Sequence, residues 1–255
     1  MIRVSQLTVT HGKAIQALRS LNFEIPVRKV TCVMGPNASG KTTLLKTLAG
    51  LTSYSGSVYL NFRELRKYSK RELARLVGYT GAVSSRDFFS IKVREVLMTA
   101  FYPFSNSFFD SPEHYKYVEE ISRDAGIEHL LDRRLNELSS GELQKVFLAL
   151  IIARSPQYYL LDEPDSHLDI GFKPELIKMI RKLSQSSTVL IATHDPLFAF
   201  KCCDYFIILN KGELVLSGEK KDLIENLQIL SRVYGVRFET LLGKGGEKLI
   251  IPVYE

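Results

Sequence analysis

The run Gly35-Pro36-Asn37-Ala38-Ser39-Gly40-Lys41-Thr42 has the form G-x-x-x-x-G-K-[ST], and Thr43 follows it. Glycine permits backbone turns that a Cβ would block, so successive N–H groups in such a run can point inward at phosphate oxygens. A helix opening near Lys41 would add the positive end of its dipole. The Lys41 ammonium would reach β- and γ-phosphates, and the Thr42 hydroxyl would bind Mg²⁺. An ordinary glycine turn is the alternative. Context favours the cradle: a short β-branched run over Val30–Met34 precedes the motif, and a helical pattern over Lys41–Leu48, stopped by Gly50, follows it.

Two acids end a second apolar run, Tyr158-Tyr159-Leu160-Leu161-Asp162-Glu163. A buried strand ending in two carboxylates is costly unless a cation or a reaction uses them. Asp162 is suited to hold Mg²⁺ through water, and Glu163 to orient or deprotonate an attacking water. Taken alone, the pair reads better as solvated loop acids. Thr193-His194-Asp195 follows the apolar stretch 189–192. A lone histidine is more often a satisfied structural residue, yet at the end of a parallel strand it can meet a ligand, because open α/β sheets bind at their carboxyl edge. Leu138-Ser139-Ser140-Gly141-Glu142-Leu143-Gln144 precedes a helix on which Leu143, Val146, Phe147, Leu150 and Ile151 recur at helical spacing. Ser139 or Ser140 suits the N-cap, and a free helix N-terminus with hydroxyls and a glycine is also an anion site.

Elements must hold these pieces in place. Residues 2–10 read as a strand, 93–100 as a helix, and Ser111-Pro112-Glu113 as a helix start with proline at the first position. The stretch 84–138 is mainly helical and inserted between strand-rich parts. Residues 157–161 and 188–193 read as short buried strands. Residues 204–209 and 213–217 flank the hairpin signal Asn210-Lys211-Gly212, and 237–242 and 248–253 flank Gly243-Lys244-Gly245-Gly246. Strands alternating with helices imply an α/β fold with a mainly parallel sheet and antiparallel additions at the ends.

The 255 residues suit one or two domains, and 45% hydrophobic content suits a sizeable core. No apolar stretch approaches the roughly 18 residues of a membrane span, and residues 1–11 carry no secretory pattern, so the cytosol is the default. Cys32, Cys202 and Cys203 lack metal spacing and read as reduced packing residues. Lysine and arginine number 34 against 28 acids, a net charge of +6 that suits a polyanionic ligand, an anionic membrane surface or nucleic acid. Arg63, Arg66, Lys67, Lys70 and Arg71 read as a solvated helix face rather than a nucleic-acid contact.

Taken together and in order, these motifs resemble the ABC ATPase family over about residues 1–217. The resemblance implies a P-loop NTPase fold of the ABC type: a mainly parallel core sheet, an antiparallel β subdomain and an inserted helical subdomain at about 84–155. Residues 218–255 would form a C-terminal helix and hairpin extension. Leu138 through Gln144 matches the signature that separates ABC proteins from other P-loop NTPases. Ser166-His167-Leu168-Asp169 matches the family's D-loop, and His194 its switch histidine. Two copies would face head to tail, each ATP lying between Lys41 of one copy and Ser139, Ser140, Gly141 and Glu142 of the other. Mg²⁺ would sit at Thr42 and Asp162, Glu163 would act on water, and His194 would contact the γ-phosphate. The implied partners are a second copy, integral-membrane permease subunits at the cytoplasmic face of the membrane and, indirectly, a solute-binding protein, with no nucleic acid.

Finer matches point to importer ATPases for ferric siderophores, haem or cobalamin. They are Leu73-Ala74-Arg75-Leu76-Val77-Gly78-Tyr79, Val93-Arg94-Glu95-Val96-Leu97-Met98, Val233-Tyr234-Gly235-Val236 and the run from Leu161 to Ile170. Four positions depart from the family pattern. Ala82 or Val83 stands where a glutamine touches Mg²⁺, with water or a neighbour such as Ser84 as the substitute. His11 stands in place of the adenine-stacking tyrosine, Ser140 in place of glycine, and Glu142 in place of glutamine. A tight turn with positive φ at Ser140 would be strained. A weakly hydrolysing regulatory module and a soluble non-transport ABC protein are the competing functions.

Overall fold

The computed structural model describes residues 1–12, 15–81, 90–104, 111–166, 168–243 and 248–253. Ala82, Val83, Ser84 and His167 lie outside the described residues.

Three short strands are buried along their whole length: β3 (Val30–Met34), β7 (Tyr158–Asp162) and β8 (Thr188–Ala192). Their near-continuous apolar and β-branched sequences are what a parallel sheet covered on both faces requires. They form the middle of a six-stranded sheet in the order β10-β9-β3-β8-β7-β6, completed by β6 (Val77–Thr80), β9 (Tyr205–Asn210) and β10 (Glu213–Glu219). Every pairing is parallel except β9 with β10, which the turn at Lys211-Gly212 joins as an antiparallel hairpin. Register decides what this sheet can do. Ala192 pairs with Val33 on one side and with Asp162 on the other, so β3, β8 and β7 finish level.

On one face lies α1 (Lys41–Leu48), whose Leu44, Leu45 and Leu48 are fully buried. They share a core with a second, antiparallel sheet in the order β2-β1-β4-β5, built from β1 (Ile2–His11), β2 (Ile15–Ile25), β4 (Ser55–Leu60) and β5 (Arg63–Glu64). The short helix α2 (Lys70–Leu76) leads into β6. On the other face lie α6 (Lys173–Ser184), α7 (Pro196–Cys202), α8 (Lys220–Glu225) and α9 (Leu227–Tyr234). The hairpin of β11 (Arg237–Leu242) and β12 (Lys248–Val253) packs there too. A third cluster joins α3 (Val93–Met98), α4 (Pro112–Asp124) and α5 (Ser140–Arg154). Helix α5 is apolar nearly all round because it serves two cores. Leu143, Val146 and Ala149 face the helical cluster, while Leu148 and Ile151 face the sheet.

The parallel strands, the inserted helices and both hairpins stand where the sequence places them. The antiparallel sheet was expected only from family resemblance, apart from its first strand, and its residues show why. Left-handed Gln6 (φ 51) and Ser20 (φ 49) coincide with register shifts between β1 and β2, so the two-residue alternation breaks within each strand. The basic residues expected on one helix face are spread over β5, a 3-10 turn and α2. Arg63 is bridged to Glu72 at 2.9 Å, and the Arg66 guanidinium lies 4.0 Å from the centre of the Tyr54 ring. All three cysteines are free and buried, and the Cys202 thiol is pushed up by its contact with Cys203 and by burial. Among the described residues, no helix is long and apolar enough to cross a membrane.

Ile191 lies in β8, flanked by paired strands on both sides, and is 0% exposed. Ile191→Ala is expected to lower the unfolding free energy by about 2–5 kcal/mol, read as an earlier urea midpoint at unchanged slope.

Candidate active site

The loop between β3 and α1 is shaped by two glycines that nothing else could replace. A Cβ on Gly35 (φ +152) would lie 2.1 Å from the Leu209 carbonyl oxygen and 2.6 Å from Ser39 Oγ. One on Gly40 (φ +107) would lie 2.6 Å from Leu18 and 2.8 Å from the Ala17 carbonyl oxygen. Ala38 is also left-handed (φ 60). The turn between β9 and β10 braces the loop, because Gly212 N–H donates to the Ser39 carbonyl at 3.1 Å. Gly40 is the N-cap of α1 and offers no side-chain cap, so the first amides of the helix have no side chain competing for them. An anion there meets free N–H groups and the positive end of the helix dipole.

A cavity of about 540 Å³ opens over this turn, a size that suits a nucleotide. Asn37, Ala38, Ser39, Gly40, Lys41, Thr42 and Thr43 line it from the loop, and Glu163 lines it from the end of β7. Exposed His11 stands at its rim beside Ile15, Gln16 and Ala17, while Gly35 and Pro36 are not part of its lining. Lys41 does not point freely into the space. Its Nζ donates to the carbonyls of Gly35 at 2.8 Å and Pro36 at 2.9 Å. Burial pulls its pKa down, and the charges of Glu163 and Asp162 work against that shift. To meet phosphates, the ammonium must exchange carbonyl partners for phosphate oxygens.

The level strand ends bring the acids and the histidine to the same edge. Asp162 is 4% exposed, and burial raises its pKa while a hydrogen bond with the Thr42 hydroxyl opposes the rise. Its Oδ2 accepts from the Tyr79 hydroxyl at 3.4 Å, while its Oδ1 is buried with no partner. An orphaned buried carboxylate oxygen beside a threonine hydroxyl is an all-oxygen donor set that fits a hard divalent cation such as Mg²⁺. Glu163 follows in a left-handed conformation (φ 50), and its N–H is tied to the Ala192 carbonyl at 2.7 Å. Its Oε1 lies 3.3 Å from His194 Nδ1, which leaves the other ring nitrogen for a ligand. Aiming a functional carboxylate is a common reason for such backbone strain.

The N-terminus of α5 lies elsewhere: none of Ser139, Ser140, Gly141 and Glu142 lines the cavity. Ser139 is the N-cap. Its Oγ accepts from the Glu142 N–H at 3.3 Å, while its own N–H and hydroxyl both donate to Glu142 Oε2 at 2.8 Å. Those bonds hold the Glu142 carboxyl below its ordinary value, the Ser139 N–H contributing most. Ser140 is the first residue of α5 and is not among the left-handed residues, so the strain expected at that position does not arise. Ser166 N–H and hydroxyl both donate to the Glu163 carbonyl, at 3.1 and 2.7 Å. Asp169 is exposed beside Ile170, which is 86% exposed.

Several residues at this edge carry no local sequence signal. Arg19 and Lys211 add cations to the cavity wall. Tyr79 reaches Asp162, and the absence of a side chain at Gly81 makes room for its ring, since a Cβ there would lie 2.6 Å from the hydroxyl. Lys173 Nζ sits 2.6 Å from Asp195 and 4.0 Å from buried Asp165, tying the loop after Glu163 to the loop after His194. Burial raises the Asp165 pKa. It pushes Asp195 the same way, but the Lys173 hydrogen bond and the N–H groups of Phe198 and Leu197 outweigh it, leaving Asp195 below its ordinary value.

The pattern that describes the ABC transporter family matches residues 18–166. The ferric enterobactin transport ATP-binding protein FepC of Escherichia coli is 31% identical over 259 residues, covering 99% of this chain and 94% of that one. Among solved structures, a candidate metal-chelate type ABC transporter in an inward-facing conformation superposes with a TM-score of 0.82 at 22% identity, covering 100% of this chain and 98% of that one. A dimeric structure of MJ0796, a bacterial ABC transporter cassette, superposes with a TM-score of 0.77 at 25% identity over 86% of this chain and 98% of that one.

Lys173→Met should lower stability by about 1–3 kcal/mol near pH 7, between the values of exposed and buried pairs. Because the folded pKa of Asp195 is depressed, its contribution is present above the ordinary carboxylate value near 3.9 and is lost as pH falls through the lower folded value. The deficit of the variant should therefore shrink below about pH 4 in urea titrations run across pH.

Proposed function

The chain belongs to the ABC transporter family and is an ATPase, and we propose that two copies hydrolyse ATP between them to drive import of a metal chelate such as an iron–siderophore complex. The observation that carries the reading is the level carboxyl edge. It brings the amide-rich turn at Gly40-Lys41, the carboxylates Asp162 and Glu163, and His194 into one place, while α5 of the same copy stays outside the cavity.

In this reading the uncapped amides of α1 and the Lys41 ammonium take the β- and γ-phosphates, and His11 faces the base at the rim. Thr42 and Asp162 would hold Mg²⁺, which would supply positive charge against the phosphates. Glu163 orients and deprotonates the attacking water, and His194 contacts the γ-phosphate from its Nε2 side. Ser139, Ser140, Gly141 and Glu142 of the second copy close the site over the γ-phosphate, with Ser166 and Asp169 at the seam between copies. Residues 1–217 form the nucleotide-binding unit, including a helical part at about 84–155, and 218–255 form its extension. Closing and reopening of the pair would work integral-membrane permease subunits at the cytoplasmic face of the membrane, fed by a solute-binding protein. The metal chelate follows from likeness to FepC, whose cargo is ferric enterobactin.

Glu163→Gln should slow ATP turnover by on the order of a hundredfold or more while leaving ATP bound. The ATP-loaded variant should run as a dimer in size-exclusion chromatography with light scattering. Wild-type turnover no faster than that of the variant would remove Glu163 from this role. For the cargo, a strain lacking the gene should lose uptake of radiolabelled ferric siderophore, with uptake restored by the wild-type gene and not by Lys41→Ala.

A further inference from the structure

The C-terminal extension reaches the phosphate loop through a tyrosine hydroxyl. Tyr234 is the last residue of α9, and its phenolic oxygen accepts a hydrogen bond from the Gly35 N–H at 2.9 Å, across 199 positions of sequence. The path of the chain at Gly35 is tightly fixed, because a Cβ would collide with Leu209 and Ser39. Its N–H does not serve the cavity, since Gly35 is not part of the cavity lining. A buried backbone donor with no ligand to face needs a partner within the protein, and Tyr234 supplies it.

That partner is itself held firmly. The Tyr234 ring packs edge-on against Phe238 with centroids 5.6 Å apart. Phe238 is 5% exposed, and its N–H donates to Ser231 Oγ at 3.1 Å. Gly235 (φ 70) caps the helix directly after Tyr234, its N–H donating to the Ser231 carbonyl at 2.9 Å. Leu230, Val233, Phe238 and Ile250 bury into the same core as Cys32 and Met34 of β3. On the other side of the Gly35 α-carbon, the Gly35 carbonyl accepts the Lys41 ammonium at 2.8 Å. One residue therefore receives both the extension and the phosphate-binding lysine.

We propose that Tyr234 is a positioning residue of the ATP site: by pinning the Gly35 N–H it fixes where the loop begins and where Lys41 rests, and it makes the 218–255 extension part of nucleotide binding. The inference depends on ATP binding at the β3–α1 loop. Tyr234→Phe keeps the ring against Phe238 and deletes only the acceptor. In that variant KM for ATP, and Kd for a fluorescent ATP analogue, should rise about threefold to tenfold, as expected for losing one hydrogen bond to a buried donor. The kcat at saturating ATP should stay within about twofold of wild type. In nucleotide-free ¹⁵N-labelled protein, the Gly35 amide should lose its protection from hydrogen exchange. Ser231→Ala, which loosens the hairpin without touching Gly35, should lower Tm and leave KM unchanged. Unchanged ATP affinity with a still-protected Gly35 amide in Tyr234→Phe would overturn the proposal. An equal rise of KM in Ser231→Ala would overturn it too, by reducing the effect to general stability of the extension. Exchange at Gly35 is read without nucleotide, so it reports on the Tyr234 contact even if wild-type protein binds no ATP, an outcome that would instead sink the functional reading.

Discussion

Phosphate oxygens have to be met by N–H groups that no other acceptor claims, and the arrangement of this protein follows from that need. Amides stay free only where a helix begins without a side-chain cap, which the backbone achieves at Gly40 by turning left-handed. The turn is possible because Gly35 and Gly40 carry no side chain against Leu209, Leu18 and Ala17. It is rigid because β3 enters it from a fully buried sheet and the Lys211-Gly212 turn closes over it. Once β3 is fixed in the middle of that sheet, level pairing with β8 and β7 delivers His194 and the two carboxylates to the same edge.

The N-termini of α1 and α5 stand in opposite states. At α1 the amides are open. At α5 a capping box closes them: Ser139 and Glu142 satisfy one another, and the Glu142 carboxylate lies where an approaching anion would sit. A phosphate docking on α5 must displace that carboxylate or share donors with it. In a head-to-tail pair, one half of each nucleotide site would thus be preformed and the other half would open only on contact.

Much of this was legible from residues alone, and the part that was not has a physical cause. The loop from Gly35 to Thr42 could be read because it follows a short run of buried apolar residues whose pattern survives locally, whereas Asp162 with Glu163, and His194, follow such runs too but read as solvated acids and a structural histidine until the family resemblance joined them. Ser139 could be read as a cap because capping is a contact of three residues' span. The antiparallel sheet was obscured where left-handed residues interrupt the alternation of β1 and β2. Tyr79 against Asp162, Lys173 between two aspartates and Tyr234 under Gly35 are separated in sequence by up to 199 positions. No periodicity records such contacts. The motif around Tyr234 was visible, but only as likeness to a subgroup and without its partner.

The resting posture of Lys41 has a consequence for selectivity. With its ammonium satisfied by two carbonyls, Lys41 does not present a bare cation to the cavity. A small monovalent anion drifting into the cleft gains little by prising that side chain loose, because it returns scarcely more than it takes away. A ligand that engages the α1 amides and the lysine at once can drive the exchange, since it offers several oxygens on one rigid chain. A selection of that kind would favour polyphosphates over single inorganic ions, because only a polyphosphate spans the α1 amides and Lys41 together.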